Sequence, residues 1–297
     1  MKNNNVEKDE KITFQSILVP ISSEFYLPAL FQISAFLAKT FNGKVTSVYI
    51  SEKRILDEVE RLSDAHLSIL EKEEAQYDIL HEYFIQAEQI VFEDARRFFK
   101  KRNIPFVTKF IEGEFSEAIK KEVKQNYYDL IVMGYEKKCF IDYRLIDEAD
   151  IPIWVEYGND NDSILVICSN LAPNKKTPLI SIQLSQLLGR KIHMKYIVDT
   201  EDPVLVDKNG VRSNEKSVEE LLQYAQKFAS KMKEKNITVD IITGVFEKET
   251  IKAIKEIKPR LVIIGREQKM KGIFGLPVKN IKRKIAEHSK YSLLFMN

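Results

Sequence analysis

Short runs of aliphatic and β-branched residues alternate along this chain with stretches in which apolar positions recur every three or four residues. The first run, Phe14 to Ile21, is almost uniformly apolar and closes on Pro20, where ladder bonding can stop. Such a run predicts a strand buried on both faces. Ser22-Ser23-Glu24 then supplies N-cap chemistry. Leu27, Leu30, Phe31, Ser34, Leu37, Ala38 and Phe41 form one stripe of an amphipathic helix, which Asn42-Gly43 ends. A second strand follows over Val45 to Ile50. Strand, helix and strand at this spacing make a βαβ unit with parallel strands and a right-handed crossover. Further on, the pattern predicts strand 105–111, helix 114–126, strand 129–133 closed by Gly134, a short helix near 141–149 and strand 152–156.

The pattern then starts again. Ser163-Ile164-Leu165-Val166 echoes Ser16-Ile17-Leu18-Val19, and Arg260-Leu-Val-Ile-Ile-Gly265 echoes Asp129-Leu-Ile-Val-Met-Gly134. Between and after these lie helix 175–188, strand 191–197, helix 215–235, strand 237–242, helix 247–257, helix 277–288 and strand 291–296. A repeat of about 145 residues is too long for a solenoid unit and reads as a tandem duplication. The expected divisions are an unstructured arm over 1–11, one domain over 12–158 and a second over 159–297. The copies differ in one place. The first carries the longer connection between its second and third strands, where Tyr77, Leu80, Phe84, Ala87, Val91, Ala95 and Phe98 step at helical spacing. This insertion, 51–102, either packs on its own sheet or protrudes as an arm that docks a protein partner.

Composition narrows the class. Of 297 residues 44% are hydrophobic, enough for two cores, and 46 Lys+Arg against 44 Asp+Glu leave a net charge of +2. That balance argues against a nucleic-acid binder. No apolar run reaches the roughly 18 residues of a membrane span, and the N-terminal ten residues lack the apolar core of a signal peptide, so a cytoplasmic protein without membrane contact is expected. Two cysteines, Cys139 and Cys168, build neither a disulfide framework nor a zinc site. The four histidines show no ligand spacing, so no metal is expected, and Ser22, Ser23 and Ser169 sit in no Gly-x-Ser-x-Gly elbow.

With Ser16-Ile-Leu-Val-Pro20, the long helical connection, Asp129-Leu-Ile-Val-Met-Gly134 and their second-copy counterparts in order, the sequence resembles the universal stress protein family from about residue 12 onward. The resemblance implies an α/β fold of two tandem Rossmann-like domains. Each would be an open five-stranded parallel sheet, order 3-2-1-4-5, with helices on both faces. It further implies that strand five of one domain pairs with strand five of another, here within the chain, with a homodimer left open. Some members bind ATP through an aspartate after strand one and a Gly-x-x-Gly loop after strand four, later followed by Gly-Ser/Thr. Glycines let backbone N–H groups approach phosphates beside a helix N-terminus.

This chain departs from that motif twice. Ser22 stands at the aspartate position of the first copy, and the loop after Gly134 brings Glu136 and Asp142 instead of a second glycine. In the second copy Cys168-Ser169-Asn170 replaces the aspartate region, and Gly272 and Gly275 form a displaced Gly-x-x-Gly. Residues 266–290 nevertheless hold eight Lys and Arg against two Glu. The candidates for binding an anion, ATP or another nucleotide included, are therefore Ser169, Gly265, Lys271, Gly272, Gly275, Lys279 and Asn280. Three readings follow: a non-catalytic stress-response binding protein with weak or lost nucleotide affinity, an ATP-binding protein with slow hydrolysis in the C-terminal domain, or an adaptor docking a partner through 51–102.

Overall fold

The apolar runs become the strands of an α/β fold in a computed structural model that describes residues 11–22, 27–51, 92–136, 144–158, 161–265 and 281–296. The chain divides into two compact units, Phe14–Ala149 and a second formed by 150–297 with the segment before Phe14.

In the first unit β1 (Ser16–Ser22), β2 (Lys44–Ser51), β3 (Phe106–Glu112) and β4 (Leu130–Gly134) are parallel in the order β3-β2-β1-β4. Helix α1 (Ala29–Phe41) enters through Pro28, whose fixed φ suits a helix start, and ends at Asn42 with φ 51°. The adjoining Gly43 is required by close approach: a Cβ there would lie 2.8 Å from the Gln15 backbone. Of the insertion expected over 51–102, the described part is helix α2 (Glu93–Lys100), and 52–91 lie outside the described residues. Phe99 of α2 stacks on Phe106 of β3 at 4.4 Å, and both meet Phe31 of α1 edge-on, so α1 and α2 share one apolar seam. Helix α3 (Phe115–Gln125) is capped by Glu114, which accepts from the N–H groups of Ser116 and Glu117. The short α4 (Leu145–Glu148) follows.

The second unit begins with β5 (Ile153–Glu156) and continues through β6 (Ser163–Ser169), α5 (Lys176–Leu188), β7 (Lys191–Asp199), α6 (Val218–Glu234) and β8 (Val239–Gly244). It closes with α7 (Phe246–Ile257), β9 (Leu261–Gly265), α8 (Ile281–His288) and β10 (Ser292–Met296). The order β8-β7-β6-β9-β10 is the 3-2-1-4-5 order, all parallel. Right-handed crossovers then put α5 and α6 on one face and α7 and α8 on the other. Strand β5 adds to this sheet antiparallel, with Trp154 opposite Leu294 and Val155 opposite Leu293. The fifth strand of the first copy thus groups with the second unit, and the compact units divide at 149/150. No helix among the described residues is long and apolar enough to cross a membrane.

Candidate functional site

In an open parallel sheet the place for a ligand is the crevice beyond the strand C-termini where the winding reverses. In the second unit that point lies between β6 and β9. After β6 the chain makes a tight turn held by its own side chains. Asn174, at φ 51°, donates from Nδ2 to the carbonyls of Ser169 (2.6 Å) and Ala172 (2.8 Å), and its Oδ1 accepts the Ser169 N–H at 3.2 Å. The Ser169 Oγ accepts the Leu171 N–H at 3.2 Å. This turn delivers the first residues of α5, Lys176-Thr177-Pro178, to the crevice. No side chain caps α5 at Lys175.

On the β7 side the crevice is filled by the protein itself. Asn170 is fully buried. Its Nδ2 donates to the carbonyls of Val204 (2.7 Å) and Asp202 (3.3 Å), its Oδ1 accepts the Asp199 N–H (2.7 Å), and its carbonyl accepts the Val206 N–H (2.8 Å). Asp199, also buried, accepts from the N–H groups of Glu201, Asp202 and, at the head of α7, Phe246 (2.6 Å). Arg212 forks onto Asp202 at 2.7 and 2.8 Å, and Val206 and Arg212 form a β-bridge. The loop 200–217 is thereby folded down as a flap, burying Val204 and Val206. Buried backbone groups must find partners, and Asn170 and Asp199 provide them.

On the β9 side a cavity of about 230 Å³ remains, lined by Asn174, Lys176, Thr177, Lys208, Gly210 and Gly265 among others. Gly265 is needed there: a Cβ would lie 3.1 Å from Ala172 Cβ and 3.2 Å from Thr177 Oγ1. The described lining contains three lysines and no carboxylate. A wider hollow of about 550 Å³ beside α7, with Lys248, Lys252, Lys255 and His288, sits on the helix surface away from the strand ends.

Residues 13–147 match the sequence model of the universal stress protein family. Solved structures extend the likeness in fold to 95% of the chain. A Pseudomonas aeruginosa UCBPP-PA14 protein assigned to the universal stress proteins matches at TM-score 0.65 and 9% identity over 93% of its own length. A functionally unknown protein from Pseudomonas aeruginosa PAO1 gives 0.64 at 10% identity over 92% of its length, and a universal stress protein from Archaeoglobus fulgidus DSM 4304 gives 0.58 at 11% over 96%. A search of curated proteins returns no match.

Against the universal stress protein pattern, Ser169 lies buried at the end of β6, with its hydroxyl and backbone engaged in the turn. Gly265 lies at the cavity. Lys271, Gly272, Gly275, Lys279 and Asn280 fall outside the described residues. In the first unit Ser22 ends β1 buried and Gly134 ends β4, while Cys139 and Asp142 also lie outside the described residues. Burial pushes the Cys168 thiol far above its ordinary pKa, which makes it an inert core residue. No group of three or more potential metal ligands occurs among the described residues. Thr177, Lys176 and Lys208 were not singled out by sequence pattern. The signal available was Lys175-Lys176-Thr177-Pro178, a helix start with basic residues and a proline in its first turn.

Proposed function

We propose that this protein of stress-response type is a binding module without catalytic turnover, and that its second unit receives an anionic ligand at the crevice between β6 and β9. The observation that carries the reading is Asn170. Both protons of its amide are directed at the flap carbonyls of Asp202 and Val204, and its oxygen at the Asp199 N–H. The residue in the region where ATP-binding relatives place an aspartate therefore holds the protein's own loop, and Val204 and Val206 occupy the ground a nucleoside would need. What stays open is the basic side, where ammonium groups and a hydroxyl favour anions. Among the described residues that lining offers no carboxylate or imidazole to activate a water, which supports binding over hydrolysis.

The test is a phosphate-release assay with ATP and magnesium on the intact chain, together with nucleotide analysis of the protein as purified. The expected result is release indistinguishable from a protein-free control and no stoichiometric nucleotide. Sustained turnover, or ATP or ADP carried through purification, would contradict it.

A further inference from the structure

We infer that the hollow between α7 and α8 is a docking surface for a second copy of this chain, recognised through the acidic segment 52–91. The inference is independent of the ligand reading above and uses neither the crevice nor the flap.

The surface is built by helix periodicity. On α7, Lys248, Ile251, Lys252 and Lys255 stand at i, i+3, i+4 and i+7, so they share one face of the helix. Together with Glu256 and, from α8, His288 they line a hollow of about 550 Å³. Ile251 is half-buried while the three lysines around it are exposed, which gives an apolar floor under a basic rim. Among the described residues Lys248 and Lys255 make no ion pair, and Lys252 meets only Glu249, at 4.0 Å. Glu256 is the one carboxylate that this lining holds among the described residues.

Charge selects the occupant. Segment 52–91 holds eleven Asp and Glu against four Lys and Arg, a net −7 in a chain of +2. From residue 150 onward twenty-five Lys and Arg face eighteen Asp and Glu, a net +7. Within the acidic segment Glu74, Asp78 and Glu82 recur every fourth residue beside the apolar positions Tyr77, Leu80 and Phe84. The segment lies outside the described residues, and the match is one of sequence pattern. Acids beside an apolar stripe complement lysines around an apolar floor. Every copy carries one groove and one acidic segment, so two copies can exchange the contact twice. A reciprocal pair of that kind closes a two-fold dimer. A single exposed ion pair contributes little, so several must act together with burial of Ile251, and salt should weaken the association.

Sedimentation of the full chain over a concentration series, at about 0.01 M and about 1 M salt, tests the inference. Between these the Debye length falls from about 30 Å to about 3 Å. A dimer is expected at the lower salt and a monomer at the higher. Lys248→Glu/Lys255→Glu should be monomeric in both, with the wild-type melting temperature, because both side chains are exposed. Glu74→Lys/Asp78→Lys/Glu82→Lys should be monomeric as well. Mixing the two variants at low salt should restore a dimer, since each groove then meets a segment of opposite sign. A wild-type chain that stays monomeric at low salt would overturn the inference, whether its groove remains empty or takes up anionic vesicles. So would a dimer untouched by Lys248→Glu/Lys255→Glu, or two folded variants that fail to pair.

Discussion

Asn170 shows how a single amide can hold a loop over a crevice. Its Nδ2 sits 2.7 Å from the Val204 carbonyl, a contact that only a donor can make. Replacing it by the isosteric aspartate, Asn170→Asp, would set a carboxylate oxygen against two carbonyl oxygens. The loop would lose both hydrogen bonds and meet repulsion instead, at a cost of about 2 kcal/mol. The expected outcome is a lower denaturation midpoint and faster tryptic cleavage after Lys208 and Arg212, because the flap loses its anchor. Unchanged cleavage and midpoint would mean that Asp199 and the Arg212–Asp202 pair hold the flap unaided.

Among the elements, β5 is the one whose place depends most on a few polar contacts. Four residues of strand give little pairing by themselves. The strand is fixed by Glu156, 1% exposed, which accepts from Trp154 Nε1 at 2.8 Å, Ser292 Oγ at 2.9 Å, Gly158 N–H at 2.7 Å and Arg260 Nη1 at 3.2 Å. Glu156→Ala would leave the mostly buried Arg260 guanidinium without its counter-charge, a loss of about 3 kcal/mol. Thermal unfolding should show a clearly lower midpoint for Glu156→Ala and a smaller drop for Glu156→Gln, which keeps an acceptor. Equal midpoints for wild type and Glu156→Ala would refute this account of β5. The strands themselves were legible in the sequence because parallel strands buried on both faces must be continuous apolar runs, as in Ile164 to Ile167 or Leu261 to Ile264. The flap was not. Val204-Leu205-Val206 is too short to show a period, and its restraint comes from Asn170 and Asp199, whose roles exist only once β6 and β7 are paired.

At the scale of the whole molecule, fold and site obey different constraints. Both units repeat the same order around their first strand, and solved relatives share the fold at 9–11% identity, because an apolar pattern tolerates wide exchange of side chains of similar volume. A site depends on individual atoms, so its residues can change while the sheet stays. Gly265 was legible as part of it, since a glycine ending a strand beside a helix start signals close approach. Thr177 was not, because its place beside Gly265 is a property of three-dimensional surroundings. The central claim is that the crevice is open to phosphate and closed to a nucleoside. Amide chemical shifts of the isotope-labelled chain, titrated in turn with inorganic phosphate and with adenosine, test it most directly. Phosphate should move the signals of Lys176, Thr177 and Gly265, and adenosine should move none of these nor those of Val204 and Val206. Displacement of the Val204 and Val206 signals by adenosine would show the base entering beneath the flap and would contradict the account.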